Sequence, residues 1–461
     1  MAQGTYTHTT FAEMKDRLAE LLGDPTQTFY SNAELGRYIV EALQWWGLTA
    51  QYFRESARLT TVAGQAFYDL TEDVYDSTGT TLLQSLTITD RQAINDILYH
   101  LMEPQITDWT APWAGSEQFS LEELTQMVEE NRDSLLKMSG CLLYPSEYVV
   151  AGGQQRVFLD EDVVQVVRAS IEEDGGDGPL VMWAIDQTQA QGTSFSSFPA
   201  LGRPKSYATS YTPVLATDIF PAARTQATIE CSVIRAGERL DPTLAATILE
   251  FPDDAVWIIK YAAIDDLVGG DGLGRAPEWS QYMEQRWQRG LQDLKGYQSI
   301  VWSTVGGRRM TISSLAELDA QRPTWQQSQG TPRSIHLLNW NRFAINPVPD
   351  GEYILELEIV RKAPLPSAND DYIQVGREQI DALLDYAQHI AMIKCQGAEL
   401  TQSIPLLESA QMAADDWLAS RASQAINWQW QQTLAGQDRN FSRPYRKAAY
   451  AARTKEAAQN G

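Results

Sequence analysis

The chain repeats itself. Residues 31–74 can be laid on residues 120–163 at a constant shift of 89 positions, without a gap. Glu34, Leu35 and Glu41 then meet Glu123, Leu124 and Glu130. Gly64-Gln65 meets Gly153-Gln154, and Glu72-Asp73-Val74 meets Glu161-Asp162-Val163. About one position in four is identical, against about one in fifteen expected by chance, so the span reads as a duplication. Whatever one copy folds into, the other must be able to form as well.

Each copy opens with signals for a helix pair. Thr10 with Glu13, Ser31 with Glu34 and Ser120 with Glu123 are spaced as capping boxes. The stretch TDRQAINDILYHLMEP from Thr89 parallels TFAEMKDRLAELLGDP from Thr10. Leu35, Tyr38, Ile39, Ala42, Leu43 and Trp46 recur at helical spacing, which predicts an amphipathic helix after Ser31. RLTTVAGQAFYDL, from Arg58 to Leu70, then reads as a strand, a Gly-Gln turn and a second strand.

A second pair of stretches is also alike. Residues 203–241 and 331–364 open with Pro204-Lys205-Ser206 and Pro332-Arg333-Ser334. Each continues as a strand-like run, a turn containing Pro and a second alternating run. In Tyr353, Leu355, Leu357 and Ile359 the apolar residues fall at period two, after the hairpin signal Asp350-Gly351. Helical patterns follow at 253–269 and 377–397, then Trp-rich ones at about 276–297 and 402–434.

The order along the chain is front, front, back, back. Two separate layers fit it, and so does nesting of one module inside the other. Nesting is preferred, because insertions are tolerated at exposed loop tips where few contacts cross. It divides the chain into residues 1–88 and 299–436 as a host module, 89–298 as an inserted module, and 437–461 as a C-terminal extension. It also predicts that residues 76–88 and 305–313 are neighbouring strands. The expected fold class is α+β: duplicated helix-bundle modules, each with a small antiparallel sheet.

Composition narrows the function classes. A hydrophobic content of 43% with 14 Trp argues for packed cores rather than disorder. The formal net charge of −24 opposes coating of a DNA duplex, although it suits a channel through which DNA slides without sticking. Cys141, Cys231 and Cys395 are far apart and odd in number, so they read as buried small hydrophobes rather than a disulfide frame. No apolar run approaches the roughly 18–20 residues of a membrane span. MAQGTYTHTT has neither the charge nor the apolar core of a signal peptide.

Catalytic and metal motifs are not found. His8, His100, His336 and His389 have no metal-ligand spacing with one another or with a Cys. The Gly-Asp clusters at 172–178 and 269–272 lack the ordered ligands of a calcium loop. The pair Asp253-Asp254 reads as helix-start acids favoured by the dipole. No catalytic residue, metal or cofactor is therefore assigned, and the protein is not expected to be an enzyme.

Taken in order, these segments resemble the head–tail connector (adaptor) proteins of tailed bacteriophages. The residues that carry the resemblance are DPTQTFYSNAELGRYIVEALQWW, AGQAFYDL, SSLAELDAQRPTWQQSQGTPRSI, NRFAINPVPDG, LELEIVRKAPLP and IDALLDYAQHIA, within residues 9–75 and 307–400. The inserted segment keeps the pattern more weakly, and its doubling departs from the usual single copy. The resemblance implies a homo-oligomeric ring, commonly a dodecamer, in the virion neck or tail, assembled in the host cytoplasm. Such a ring binds the portal protein and a downstream tail or nozzle protein. DNA passes through it without specific binding, and no membrane is involved. A tail-tube or fibre-attachment protein is an alternative, as is an envelope-polysaccharide hydrolase whose carboxylates converge from distant positions.

Two contact surfaces are expected. The charge reverses in the tail, where Arg439, Arg443, Arg446 and Lys447 are interleaved with aromatics such as Tyr445. This basic segment is a candidate for docking on the portal or tail. Trp428 and Trp430 stand two apart and cannot both face one core, so at least one should meet a partner or the adjacent module. Trp340, Arg342 and Tyr211 mark the paired hairpins as a second contact surface.

Overall fold

A computed structural model describes residues 9–76, 86–111, 113, 118–185, 201–211, 215–269, 277–395 and 397–440. The helix pairs form where the capping signals place them. Helices α1 (Phe11–Leu21) and α2 (Asn32–Ala50) are matched by α3 (Asp90–His100) and α4 (Leu121–Ser139). The capping boxes at Thr10, Ser31 and Ser120 are all formed. The turn after each first strand is matched too: φ is +82° at Gly64 and +83° at Gly153, and Gln65 and Gln154 each donate Nε2 to a carbonyl two residues on at 2.8 Å.

The strands of the copy within 86–295 make a seven-stranded sheet. Its members are β4 (Tyr144–Val150), β5 (Arg156–Phe158), β6 (Val163–Glu173), β7 (Leu180–Ala184), β8 (Ser206–Ser210), β9 (Ala216–Phe220) and β10 (Ala227–Arg235). Their order across the sheet is β4-β10-β6-β7-β8-β9-β5. The remaining strands come from both sides of this segment. They are β1 (Arg54–Thr60), β2 (Phe67–Asp69), β3 (Tyr75–Asp76), β11 (Ile300–Val305), β12 (Arg308–Arg309), β13 (Thr311–Ser314), β14 (Ser334–Leu337), β15 (Arg342–Asn346) and β16 (Ile354–Val360). They form a five-stranded sheet, β12-β11-β16-β1-β3, and a four-stranded sheet, β13-β14-β15-β2. The path β1-β16-β11 and then β13-β14-β15-β2 repeats the path of the inner sheet strand for strand. Even the parallel pairs correspond, β13 with β14 and β7 with β8. We call residues 86–295 the inner copy and the flanking segments the outer copy.

The expectation of helix-bundle modules with minor sheets is not met. Helix accounts for 39% of the chain and strand for 25%, and the seven-stranded sheet curls almost into a barrel. The reason lies in stretches with no hairpin signal of their own. Val163–Glu173 carries an apolar run and is hydrogen-bonded on both sides, to β10 and β7. Ile300–Val305 adds to β16. Such central strands read as continuous apolar runs rather than alternations. Residues 77–85 lie outside the described residues, and Asp76 stands at the opposite edge of the five-stranded sheet from Arg308–Arg309. Asp76 and β12 are therefore not neighbours.

The two copies share one helical core. Around α2 pack α5 (Val256–Gly269) and α6 (Pro277–Lys295) of the inner copy, with α8 (Arg377–Met392) and α9 (Gly397–Asn440) of the outer copy. Residues from all five helices lie in a single buried cluster. A shorter helix, α7 (Leu315–Gln321), covers the outer copy's second sheet, with Leu315 and Leu318 buried against Phe67 and Ala344.

Candidate functional site

The seam between the copies is built around two buried cations. Helix α5 is buried over most of its length, and Lys260 lies within it only 5% exposed. A buried ammonium is tolerable only when paired. Its partner is Glu41, which the spacing of α2 turns toward α5; Lys260 Nζ donates to Glu41 Oε2, and Tyr261 Oη donates to Glu41 Oε1 at 2.5 Å. Burial alone would push this carboxyl up, but the Lys260 charge and the two hydrogen bonds overcome it and hold Glu41 at about 2. His100 completes the group. Its Nδ1 donates to the Asp96 carbonyl at 3.0 Å, which leaves the Nε2 lone pair 3.8 Å from Glu41 Oε2. Burial, reinforced by the nearby Lys260 charge, lowers His100 to about 4, so the imidazole is neutral.

The second cation is Arg286 on α6. It lies among the rings of Tyr386, Tyr261 and Trp257, with its guanidinium carbon 4.9, 5.1 and 5.6 Å from their centroids. Its Nη2 donates to Tyr386 Oη. Tyr386 in turn stacks on Trp45 of α2 at 4.2 Å. Beside it, Tyr282 donates to His389 Nε2, and His389 Nδ1 donates to the Ser403 carbonyl at 3.1 Å. Burial and the Arg286 charge lower His389 to about 3. Each of these contacts joins a residue of the inner copy to one of the outer copy, or supports one that does.

A cavity of about 1050 Å3 opens beside this seam, with Lys15, Arg37, Asp96, His100, Asp254 and Lys362 among its lining residues. Its ionisable groups hold chain segments in place. Asp253 accepts from Thr87 N at 2.7 Å, Thr87 Oγ1 at 2.6 Å, Ile88 N at 3.2 Å and Lys362 Nζ at 3.4 Å. Asp254 accepts from Ala363 N at 2.8 Å. Burial, with the Asp253 charge adding to it, raises Asp254 to about 7. The pair does sit at a helix start, immediately before α5, yet its bonds fasten the crossing between the copies. Nothing in the local sequence marks that use, because Thr87 and Ala363 are far away along the chain. Among the described residues no group of three or more His, Cys, Asp and Glu is placed to hold a metal ion, and no helix is long and apolar enough to cross a membrane.

The proposed contact residues fall in different places. Trp340 and Arg342 are 5% and 7% exposed, so they do not form a surface of this chain. Trp340 packs in the shared helical core, and the Arg342 guanidinium lies 5.3 Å from the Phe67 ring centroid. The flanking asparagines make this loop a strut. Asn341 Oδ1 accepts from Leu143 N at 3.1 Å, its Nδ2 donates to Asp69 at 2.6 Å, and Asn339 Nδ2 donates to the Cys141 carbonyl at 2.8 Å. The turn residues read as exposed in sequence because the groups they meet, Phe67 in the outer copy and Cys141 and Leu143 in the inner copy, are far away along the chain. Tyr211 is 48% exposed and is not brought together with them. Trp428, Trp430 and Arg439 lie on α9, within a part whose side chains are not described. Arg443, Tyr445, Arg446 and Lys447 lie outside the described residues. Cys141 and Cys231 are buried, whereas Cys395 is exposed.

The sheets are joined as well. Arg168 of β6 grips Asp319 of α7 through Nε at 2.7 Å and Nη2 at 3.3 Å, and Val181 N donates to the Pro323 carbonyl at 2.9 Å. No protein-family model matches the chain, and no curated protein is significantly similar to it.

Proposed function

We propose that this chain is a structural protein of a tailed-phage virion, forming a homo-oligomeric ring at the head–tail junction that links portal to tail and continues the DNA channel. The observation that carries the reading is the repeated strand path, with two α/β copies locked side by side through a shared helical core. Such a body presents different surfaces at its two ends, and a head-to-tail contact between unlike surfaces closes into a ring when its rotation divides the full circle. The net charge of −24 suits a lumen that does not grip DNA. In this reading residues 89–298 are an insertion in the module formed by 1–88 and 299–436, and the ionisable groups of the seam hold the copies together. The basic, aromatic segment after residue 436 docks on the portal or on the next tail component.

Negative-stain images of the purified full chain, and of virions carrying it, test the proposal. Rings with a central hole wide enough for duplex DNA are expected. A monodisperse monomer that cleaves envelope glycans would overturn it.

A further inference from the structure

The two copies treat one sheet edge differently. In the outer copy, the edge of β1 is covered by the two-residue strand β3, with Ala57 opposite Asp76 and Arg58 opposite Tyr75. At the shift of 89 residues, Ala57 and Arg58 correspond to Ser146 and Glu147 of β4. Among the described residues β4 pairs only with β10, and its other edge takes no strand. The chain segment that would supply the cover is used elsewhere: Val163, the counterpart of Val74, starts the long strand β6. An uncovered edge presents a row of backbone donors and acceptors that another strand can pair with.

The side chains around this edge specify the visitor. Glu147 is exposed and stands directly opposite Glu230 in the β4–β10 ladder. Like charges at that spacing repel, so the pair favours a cation brought alongside. Val149, two residues on, is 65% exposed and adds an apolar contact on the same face.

The chain carries a strand as short as the β3 cover and opposite in charge to this edge. The hairpin of β11 and β12 turns through Gly306 and Gly307, with φ of +54° and +73°. Two positive values in a two-residue loop make a tight hairpin whose arms follow the strand twist. Strand β12 is Arg308–Arg309, both exposed, at the edge of the five-stranded sheet. The Arg308 side chain has no ion pair or hydrogen bond among the described residues. We propose that the open edge of β4 receives the β11–β12 hairpin of a second copy of this chain, with Arg308 set against Glu147 and Glu230. The contact joins two different surfaces, so it propagates head to tail. It rests on the ring reading and names the strands that would make the ring.

Cysteine pairing in the full chain tests it. Facing residues of neighbouring antiparallel strands have Cα atoms about 4.5–5.5 Å apart, within disulfide range. Glu147→Cys and Arg308→Cys proteins, mixed and mildly oxidised, should give an intermolecular 147–308 linkage by peptide mass spectrometry. Either variant alone should give at least tenfold less of any new linkage. In sedimentation velocity, Glu147→Arg and Arg308→Glu should each weaken assembly at least tenfold, and the two changes together should restore it to within threefold. Circular dichroism of each variant separates lost contact from lost fold. Rings that form without the 147–308 linkage and ignore Glu147→Arg would overturn this inference and leave the ring reading intact. A wild-type chain that stays monomeric would overturn both.

Discussion

Replacing Glu41 by Gln removes the carboxylate that balances Lys260 inside the seam. Both side chains are almost fully buried, at 6% and 5% exposure. Removing one partner of such a pair leaves an uncompensated charge and costs about 3–5 kcal/mol. The proton equilibrium gives a similar size: the distance from an ordinary 4.5 to about 2 corresponds to about 3 kcal/mol. Because the folded state depresses this carboxyl, its contribution is full above about pH 4.5 and is lost as pH falls toward 2; near pH 3 about 2 kcal/mol of it is gone. Urea unfolding of the full chain, followed by circular dichroism and Trp fluorescence, should therefore show Glu41→Gln destabilised by about 3 kcal/mol or more near pH 7. The gap to wild type should narrow near pH 3. Replacing both partners, as Glu41→Leu with Lys260→Met, should be milder than Glu41→Gln, because no charge is left behind. A Glu41→Gln protein within about 1 kcal/mol of wild type near pH 7, or a gap indifferent to pH, would refute the claim that this pair holds the seam.

Three further changes probe other parts of the joint. Asn341→Ala leaves the Leu143 amide without its 3.1 Å acceptor, and a loss of about 1–3 kcal/mol is expected in thermal denaturation. Gly290→Ala would place a Cβ 2.5 Å from the Trp257 ring, an overpacking of about 1–3 kcal/mol readable in urea midpoints. Asp254 is raised to about 7, so its favourable protonation in the folded state is full below an ordinary 3.8 and is lost as pH rises through about 7. Stability measured between about pH 5 and 7 should fall with pH in wild type and fall less in Asp254→Asn.

Local signals in the sequence were reliable where the physics is local. A Ser or Thr three residues before Glu, ahead of an apolar stripe, marks a helix start because both hydrogen bonds close within one turn. Ser31 and Ser120 show it. The Gly-Gln turns and the alternation at Leu355, Leu357 and Ile359 are of the same kind. The misread features depend on residues far away along the chain. Trp340 and Arg342 sit beside a turn, which suggests a solvent-facing position, yet the flanking Asn339 and Asn341 bond to Cys141 and Leu143, about 200 positions upstream, and Arg342 lies on Phe67. Glu41 and Lys260 carried no signal at all, since each is an ordinary residue until the other copy arrives. The barrel-like sheet was missed for a related reason: β6 is bonded on both sides and has no alternation to read.

The differences between the copies follow from small changes at equivalent points. In the inner copy β6 runs for eleven residues and pairs with β7 from Ala169 opposite Met182 to Ile171 opposite Leu180, so the sheet continues unbroken. In the outer copy the chain turns at Gly306-Gly307 after the six residues of β11 and returns as β12. The ladder then stops, and Met310, between β12 and β13, donates its N to the Ser303 carbonyl of β11 at 2.9 Å. That early turn places a positively charged strand at the sheet edge in one copy. The use of Val163 to start β6 leaves the β4 edge, with Glu147, uncovered among the described residues in the other. Two identical copies would offer the same edge twice, and like edges pair about two-fold axes, which reverses the sense of the chain at every contact. Unlike edges join in only one sense, and a contact of that kind repeats head to tail, as the proposed ring needs. The duplication thus supplies the shared core, and the divergence at two turns supplies the asymmetry on which the proposed ring rests.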